Sequence, residues 1–181
     1  MSQLKIYSND FSTQLEMETR LPLEIAELLG DAGIIYEHID LLQPAGKSYL
    51  SDEQIDELKK KLLQDDPQNS FHHCSLATVG VNFPNYDRLR LRYLSEYHVE
   101  ENEGYLIMEG KCLFGFHYRH KVMLLWCEKG DFITIPAKIL RWMDLGNRAN
   151  FTVLKCAEKE EAPVIYYTGS NISDIYPRLV L

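Results

Sequence analysis

Three stretches concentrate the residue types that do chemistry. EYHVEENEGYLIMEG (Glu96 to Gly110) sets the carboxylates of Glu96, Glu100, Glu101 and Glu103 around the imidazole of His98 and the phenols of Tyr97 and Tyr105. Groups of these types can move protons. GDFITIPAKILRWMDLG (Gly130 to Gly146) brings Lys138, Arg141 and Trp142. A guanidinium grips carboxylates and phosphates with a rigid fork; it keeps its proton near neutrality and does not ligate metals. The third stretch is His72-His73-Cys74. Neighbours in a strand point to opposite faces, so His72 and His73 cannot share one ion there. A loop running into a strand from Cys74 to Val79 is the reading. His117 and His120 fall at the end of an expected hairpin, where solvent reaches them.

The elements that must hold these residues follow from periodicity. Leu4–Tyr7 and Ile34–Leu42 are β-rich. Leu21, Ile25, Leu28 and Leu29 make a helical stripe opened by Pro22. Ser51 and Gln54 form a capping box for a helix ending before Pro67. Asn85 is placed to cap a helix to Leu94 with an arginine-rich, solvated face. From Glu103 the period becomes two, with strands at Tyr105–Ile107, Lys111–Tyr118, Val122–Cys127, Phe132–Pro136, Trp142–Asp144, Phe151–Cys156 and Val164–Tyr167. A short helical turn near Ser173 or Asp174 precedes Pro177. Short strands at regular spacing predict a small antiparallel barrel or sandwich. Phe114, Phe116, Trp126 and Trp142 are read as core first and pocket lining second.

Composition removes several functions. The chain has 181 residues, 45% of them hydrophobic, and a net charge of −8. That charge argues against nucleic acid and anionic membrane as partners. No apolar run is long enough to cross a bilayer. MSQLKIYSND lacks the basic and apolar regions of a signal peptide, which predicts a cytoplasmic protein. Cys74, Cys112, Cys127 and Cys156 lie far apart in sequence without CxxC spacing, as reduced and mostly buried thiols do. No glycine-rich phosphate loop and no nucleophile elbow occurs, so no nucleotide cofactor is implied.

YLSEYHVEENEGYLIMEG (Tyr93 to Gly110) and CEKGDFITIPAKILRWMDLG (Cys127 to Gly146) resemble the two motifs of the acireductone dioxygenase family, metal-dependent cupins. FTVLKC (Phe151 to Cys156) and YYTGSNISDIYPRL (Tyr166 to Leu179) resemble that family's last strand and tail. The resemblance implies a mainly β fold with flanking helices, a cupin (double-stranded β-helix, jelly-roll-like) barrel. Residues 93–181 would form the barrel core and tail, and residues 1–92 would supply helices and strands packing on it within one structural domain. The implied activity is oxidative cleavage of an enediol by O₂ at Fe(II) or Ni(II), held by a His-x-His pair, a following Glu and a distant His.

Only Glu103 is kept of that ligand set. In the ungapped register the paired histidines become Tyr97 and Val99, the distant His becomes Arg141, and an Arg of the family becomes Tyr105. A one-residue bulge gives a second register, with Glu96, His98 and Glu103 as ligands for Fe or Ni. The ungapped register matches Tyr93–Glu96 without a gap and is preferred. It implies no metal cofactor and an ion pair of Arg141 with Glu103. Three functions follow. One is a metal-independent cupin that binds or converts a small polar or anionic metabolite. In it Glu103, Arg141, Tyr97 and Tyr105 do isomerase- or lyase-type acid–base work, and Arg141, Trp142 and Lys138 bind substrate. The second is a dioxygenase using the bulged ligand set. The third is a non-catalytic interaction protein.

Overall fold

The computed structural model describes residues 1–9, 13–41, 50–66, 70–80, 82–148 and 150–181. Its architecture follows from strands with apolar side chains on both faces. In β7 (Lys111–Tyr118), Cys112, Phe114 and Phe116 point into the space between two sheets, while Leu113 points outward. β8 (Lys121–Glu128) repeats this, with Met123 and Leu125 inside and Val122 and Leu124 outside. A sheet so built must be covered twice.

One sheet runs β12-β5-β10-β7-β8-β1-β2 and the other β3-β9-β6-β11-β4. The first adds β1 (Gln3–Ser8), β2 (Leu15–Thr19), β5 (Tyr97–His98), β10 (Leu140–Asp144) and β12 (Tyr166–Tyr167). The second holds β3 (Ile35–His38), β4 (His73–Val79), β6 (Glu103–Glu109), β9 (Asp131–Ile135) and β11 (Phe151–Ala157). Every pairing among the described strands is antiparallel, as the alternation predicts, and the fold is the mainly β barrel with flanking helices that the resemblance implies. Strand β2 was not anticipated: Leu15, Glu16, Met17 and Glu18 are exposed, which leaves no alternation to read.

The outer face of the first sheet is covered by the C-terminal tail, where Ile172, Tyr176 and Leu179 pack on Leu113, Leu124 and Trp142. Trp142 fits because Gly115 lies beneath it; a Cβ at Gly115 would stand 2.0 Å from the indole. A 3-10 turn at Ile172–Asp174 starts this tail, as expected. α2 (Asp52–Gln64) covers the second sheet through Leu62, which packs with Phe71, Leu106 and Cys156. Both arms of the Ser51–Gln54 capping box are formed. α1 (Pro22–Gly30) starts on Pro22 and buries Ile25 and Leu29.

Four expectations change. Asn85 does not cap α3 (Tyr86–Leu94) with its side chain; it takes the left-handed conformation, φ +58°. The basic face of that helix is not simply solvated, because Arg90 makes two hydrogen bonds to the buried Asp144. His117 is half-buried: its Nδ1 bonds Glu96 at 2.8 Å, and its Nε2 is met by the Asn9 amide at 3.1 Å. The strand read from Ile34 covers Ile35–His38, and Leu42 and Pro67 lie outside the described residues.

Candidate functional site

Strand β6 in one sheet and β10 in the other aim charged side chains at each other across the barrel. Leu106 packs outward under α2, so its neighbours Tyr105 and Ile107 face inward, and Glu103 shares their face. Trp142 faces outward under the tail, which turns Arg141 inward. A hydrogen-bonded ion pair joins Arg141 Nη2 to Glu103 Oε2, with the side chains 1% and 2% exposed. Tyr97 stands opposite Arg141 in the β5–β10 pairing, and its ring centre lies 5.4 Å from the guanidinium carbon. Tyr93 leans on Tyr97 and Phe114 on Tyr105, so aromatic rings surround the pair.

A second cation completes the cluster. Lys155 on β11 stands opposite Tyr105, and its Nζ reaches Glu103 Oε1 at 2.6 Å. At 27% exposure it is the part of the cluster nearest solvent. It lines a groove of about 280 Å³ along β4 and β11, with His73, Ser75, Ala157 and Lys159. Sequence reasoning missed Lys155, although a signal existed. Phe151 and Val153 belong to the inner core, and Lys155 is the next residue of that alternation.

The electrostatics follow from burial and these neighbours. Burial alone would raise the Glu103 carboxyl, but Arg141 and Lys155, helped by Tyr105, outweigh it and hold it below the usual range. It is therefore an ionised, weakly basic carboxylate. Burial pushes the Tyr97 and Tyr105 phenols up, with the Glu103 charge adding to it. Both remain neutral hydrogen-bond donors. Arg141 stays charged: burial works against the charge, and Tyr97 and Glu103 favour it more strongly. The Tyr97 hydroxyl lies near the guanidinium, yet Arg141 Nε and Nη1 are buried without a hydrogen-bond partner.

The chain thus gathers Glu103, Arg141, Tyr97 and Tyr105 in one place and leaves other expected residues elsewhere. Trp142 is not a pocket residue; adjacent to Arg141 in β10, it points to the opposite face and stacks on Tyr176. Lys138 is 71% exposed and pairs with Glu100 at 3.4 Å, so its charge faces water. Phe114 and Phe116 stack on each other in the inner core. Glu96, His98 and Glu103 do not converge. Glu96 accepts from His117 and from Thr168 Oγ1 at 2.8 Å, and these bonds overcome burial to keep its carboxyl below the usual range. His98 stacks on Tyr166 and pairs with Glu100 at 3.3 Å. Among the described residues, no group of three or more His, Cys, Asp or Glu is arranged to hold a metal ion. Likewise, no helix among them is long and apolar enough to cross a membrane.

This geometry can be set beside known proteins. The profile of the ARD/ARD' family matches residues 3–162. Acireductone dioxygenase of Enterobacter sp. (strain 638) is 30% identical over 186 residues, covering 99% of each chain. The Citrobacter koseri acireductone dioxygenase is 28% identical over 180 residues, covering 99% of this chain and all of the relative. Among solved structures, acireductone dioxygenase from Bacillus anthracis, with a cadmium ion in its active center, shares the fold with a TM-score of 0.75. It is 19% identical, and the match covers 91% of this chain and 98% of that one. The cupin barrel and the full-length match agree, and the chain belongs to the ARD/ARD' family, the acireductone dioxygenases.

Proposed function

We propose that this chain is a metal-independent member of its family that binds a small, oxygen-rich anion inside the barrel, on Arg141. The observation that carries the reading is the pair of Arg141 N–H groups, Nε and Nη1, buried without a partner on a side chain 1% exposed. Buried donors left unpaired are costly, and the oxygens of a ligand carboxylate, phosphate or enediolate would accept charge-assisted hydrogen bonds from them. The local charge supports an anion. Two cations, Arg141 and Lys155, face one carboxylate, Glu103.

The residues at this locus do not fit an Fe(II) or Ni(II) ion. A divalent ion would find a single carboxylate whose two oxygens already face cations, and the Arg141 guanidinium and the Tyr97 ring where nitrogen donors are needed. Glu103, held weakly basic, anchors the two cations better than it abstracts protons. Tyr97 and Tyr105, kept neutral by burial, would donate hydrogen bonds or a proton to a ligand oxygen. Any turnover is then of the isomerase or lyase type, with a phenol as the acid. The groove beside Lys155 is the approach, and the Lys155 ammonium meets the ligand there.

A thermal-shift screen of small carboxylates, phosphorylated sugars and hydroxy-ketones, with metal content measured on the same protein, tests this. At least one anion class is expected to raise the unfolding temperature of the native chain and to lose most of that effect in Arg141→Ala. Metal should stay below about a tenth of an equivalent, because a working site fills. Near-stoichiometric Fe or Ni, or an anion effect that survives Arg141→Ala, overturns the reading.

A further inference from the structure

The four cysteines, scattered in sequence, form two cross-strand pairs. Cys112 stands opposite Cys127 in the β7–β8 ladder, and Cys74 opposite Cys156 in the β4–β11 ladder. Directly opposed residues of an antiparallel pair have Cα atoms about 4.5 or 5.5 Å apart. Both spacings lie within the roughly 4.4–6.8 Å that a disulfide spans. Geometry along the strands therefore permits a bond in either pair, and access separates them. Cys112 and Cys127 sit inside the barrel core, where burial pushes the Cys127 thiol well up. Cys74 and Cys156 lie under α2 with their sulfurs 2.6 Å apart, and Cys74 also lines the groove beside Lys155.

We propose that Cys74 and Cys156 are a redox-active dithiol that small-molecule disulfides oxidise to a cross-strand bond, clamping edge strand β4 to β11. Cys74 is the attacking sulfur, since it is half-buried and reachable from the groove, whereas Cys156 is fully buried. The Cys74 thiol is held below its ordinary value by the hydrogen bond from Cys156, with Lys59 of α2 adding a smaller effect in the same direction. Its thiolate attacks one sulfur of the external disulfide, forms a mixed disulfide and releases a thiolate that takes up a proton. Cys156 then gives its proton to water and attacks Cys74 Sγ, displacing the second thiolate. Cys74 and Cys156 together lose two electrons and two protons, and the external disulfide becomes two thiols.

The position gives the bond a consequence. Lys155 is the residue before Cys156, and β4 is the outer strand of its sheet, with His73, Ser75, Leu76, Ala77 and Thr78 exposed. An edge strand held by one ladder frays more readily than a central one. The bond fixes the rim of the groove through which the Glu103–Arg141 cluster meets solvent. This inference rests on the cysteine geometry alone and stands whether or not an anion binds Arg141.

The test incubates the reduced, folded chain with glutathione disulfide, counts thiols after denaturation and maps peptides without reduction. Two of the four thiols should be lost, with the link joining Cys74 to Cys156. Cys156→Ser should stop at one glutathione on Cys74, and Cys74→Ser should keep all of its thiols. Amide exchange of 73–79 should slow on oxidation of the native chain and not of either variant. Survival of all four thiols, a Cys112–Cys127 link or a link between chains overturns the proposal. Unchanged exchange in β4 overturns the clamp.

Discussion

Among the described residues two buried carboxylates, Asp144 and Glu103, are paired with arginines, and the pairs are built differently. Arg90 meets Asp144 with two hydrogen bonds, Nε at 2.7 Å and Nη2 at 3.0 Å. The same carboxylate accepts from the Gly146 amide at 2.9 Å and the Leu179 amide at 3.0 Å. Together these bonds overcome burial and hold Asp144 below the usual range. Arg141 meets Glu103 through one nitrogen and leaves its other two unpartnered. The first pair ties a helix, a strand end and the C-terminal tail into one joint. The second links β6 of one sheet to β10 of the other, and its spare donors and the additional cation Lys155 are why we propose that it binds a ligand.

The largest effects should come from replacing each pair by apolar residues. Arg90→Leu with Asp144→Leu strands the Gly146 and Leu179 amides, at about 1–3 kcal/mol each, so urea unfolding should reveal a loss of about 3 kcal/mol. Arg141→Met with Glu103→Leu strands no backbone amide; it leaves the Tyr105 hydroxyl without Glu103 and Lys155 free to reach water, and should change stability by less than about 2 kcal/mol in either direction. Equal losses in both double variants would erase the contrast.

An acid titration sharpens it next. Glu103, Asp144 and Glu96 are all held below their ordinary values in the folded chain. The stability they contribute is present above the unfolded carboxylate range and disappears as pH falls through their folded values. The urea midpoint of the native chain should therefore drop between about pH 5 and pH 3. Glu103→Gln should start lower and fall less steeply over that window. A parallel fall would mean that Glu103 is not held down by its cations.

The smallest effects separate the two lysines. Lys138→Gln should change stability by less than about 0.5 kcal/mol and leave any anion-induced thermal shift intact. Lys155→Gln should shrink that shift several-fold. Identical behaviour of the two variants would remove Lys155 from the site.

Much of this was legible before any coordinates. The β7 and β8 strands, the Ser51–Gln54 box, the Pro22 helix start and the turn before Pro177 are local patterns, and the structure keeps each one. The convergence of Glu103, Arg141, Tyr97 and Tyr105 was legible through the family resemblance. His117 was misread because its hairpin position says nothing about Glu96, which arrives from another strand. Asn85 carries a cap residue type, but its left-handed backbone turns the side chain away from the helix amides. The bulged ligand set is not gathered in this structure: the ladder pairs Tyr97 with Arg141 and Tyr167, which turns Glu96 and His98 to the face opposite Tyr97.

By itself the sequence determined the helices and most of the strands, β2 excepted. Period-two patterning and capping chemistry act over a few residues and need no partner. Tertiary structure alone decided which neighbour in each strand faces inward. In β10 four of five residues are buried, because the core lies on one face and the tail on the other. Alternation cannot tell Arg141 from Trp142 when both faces are covered. The tail that claims Trp142, and the strand that brings Lys155 to Glu103, are distant in sequence and made that choice.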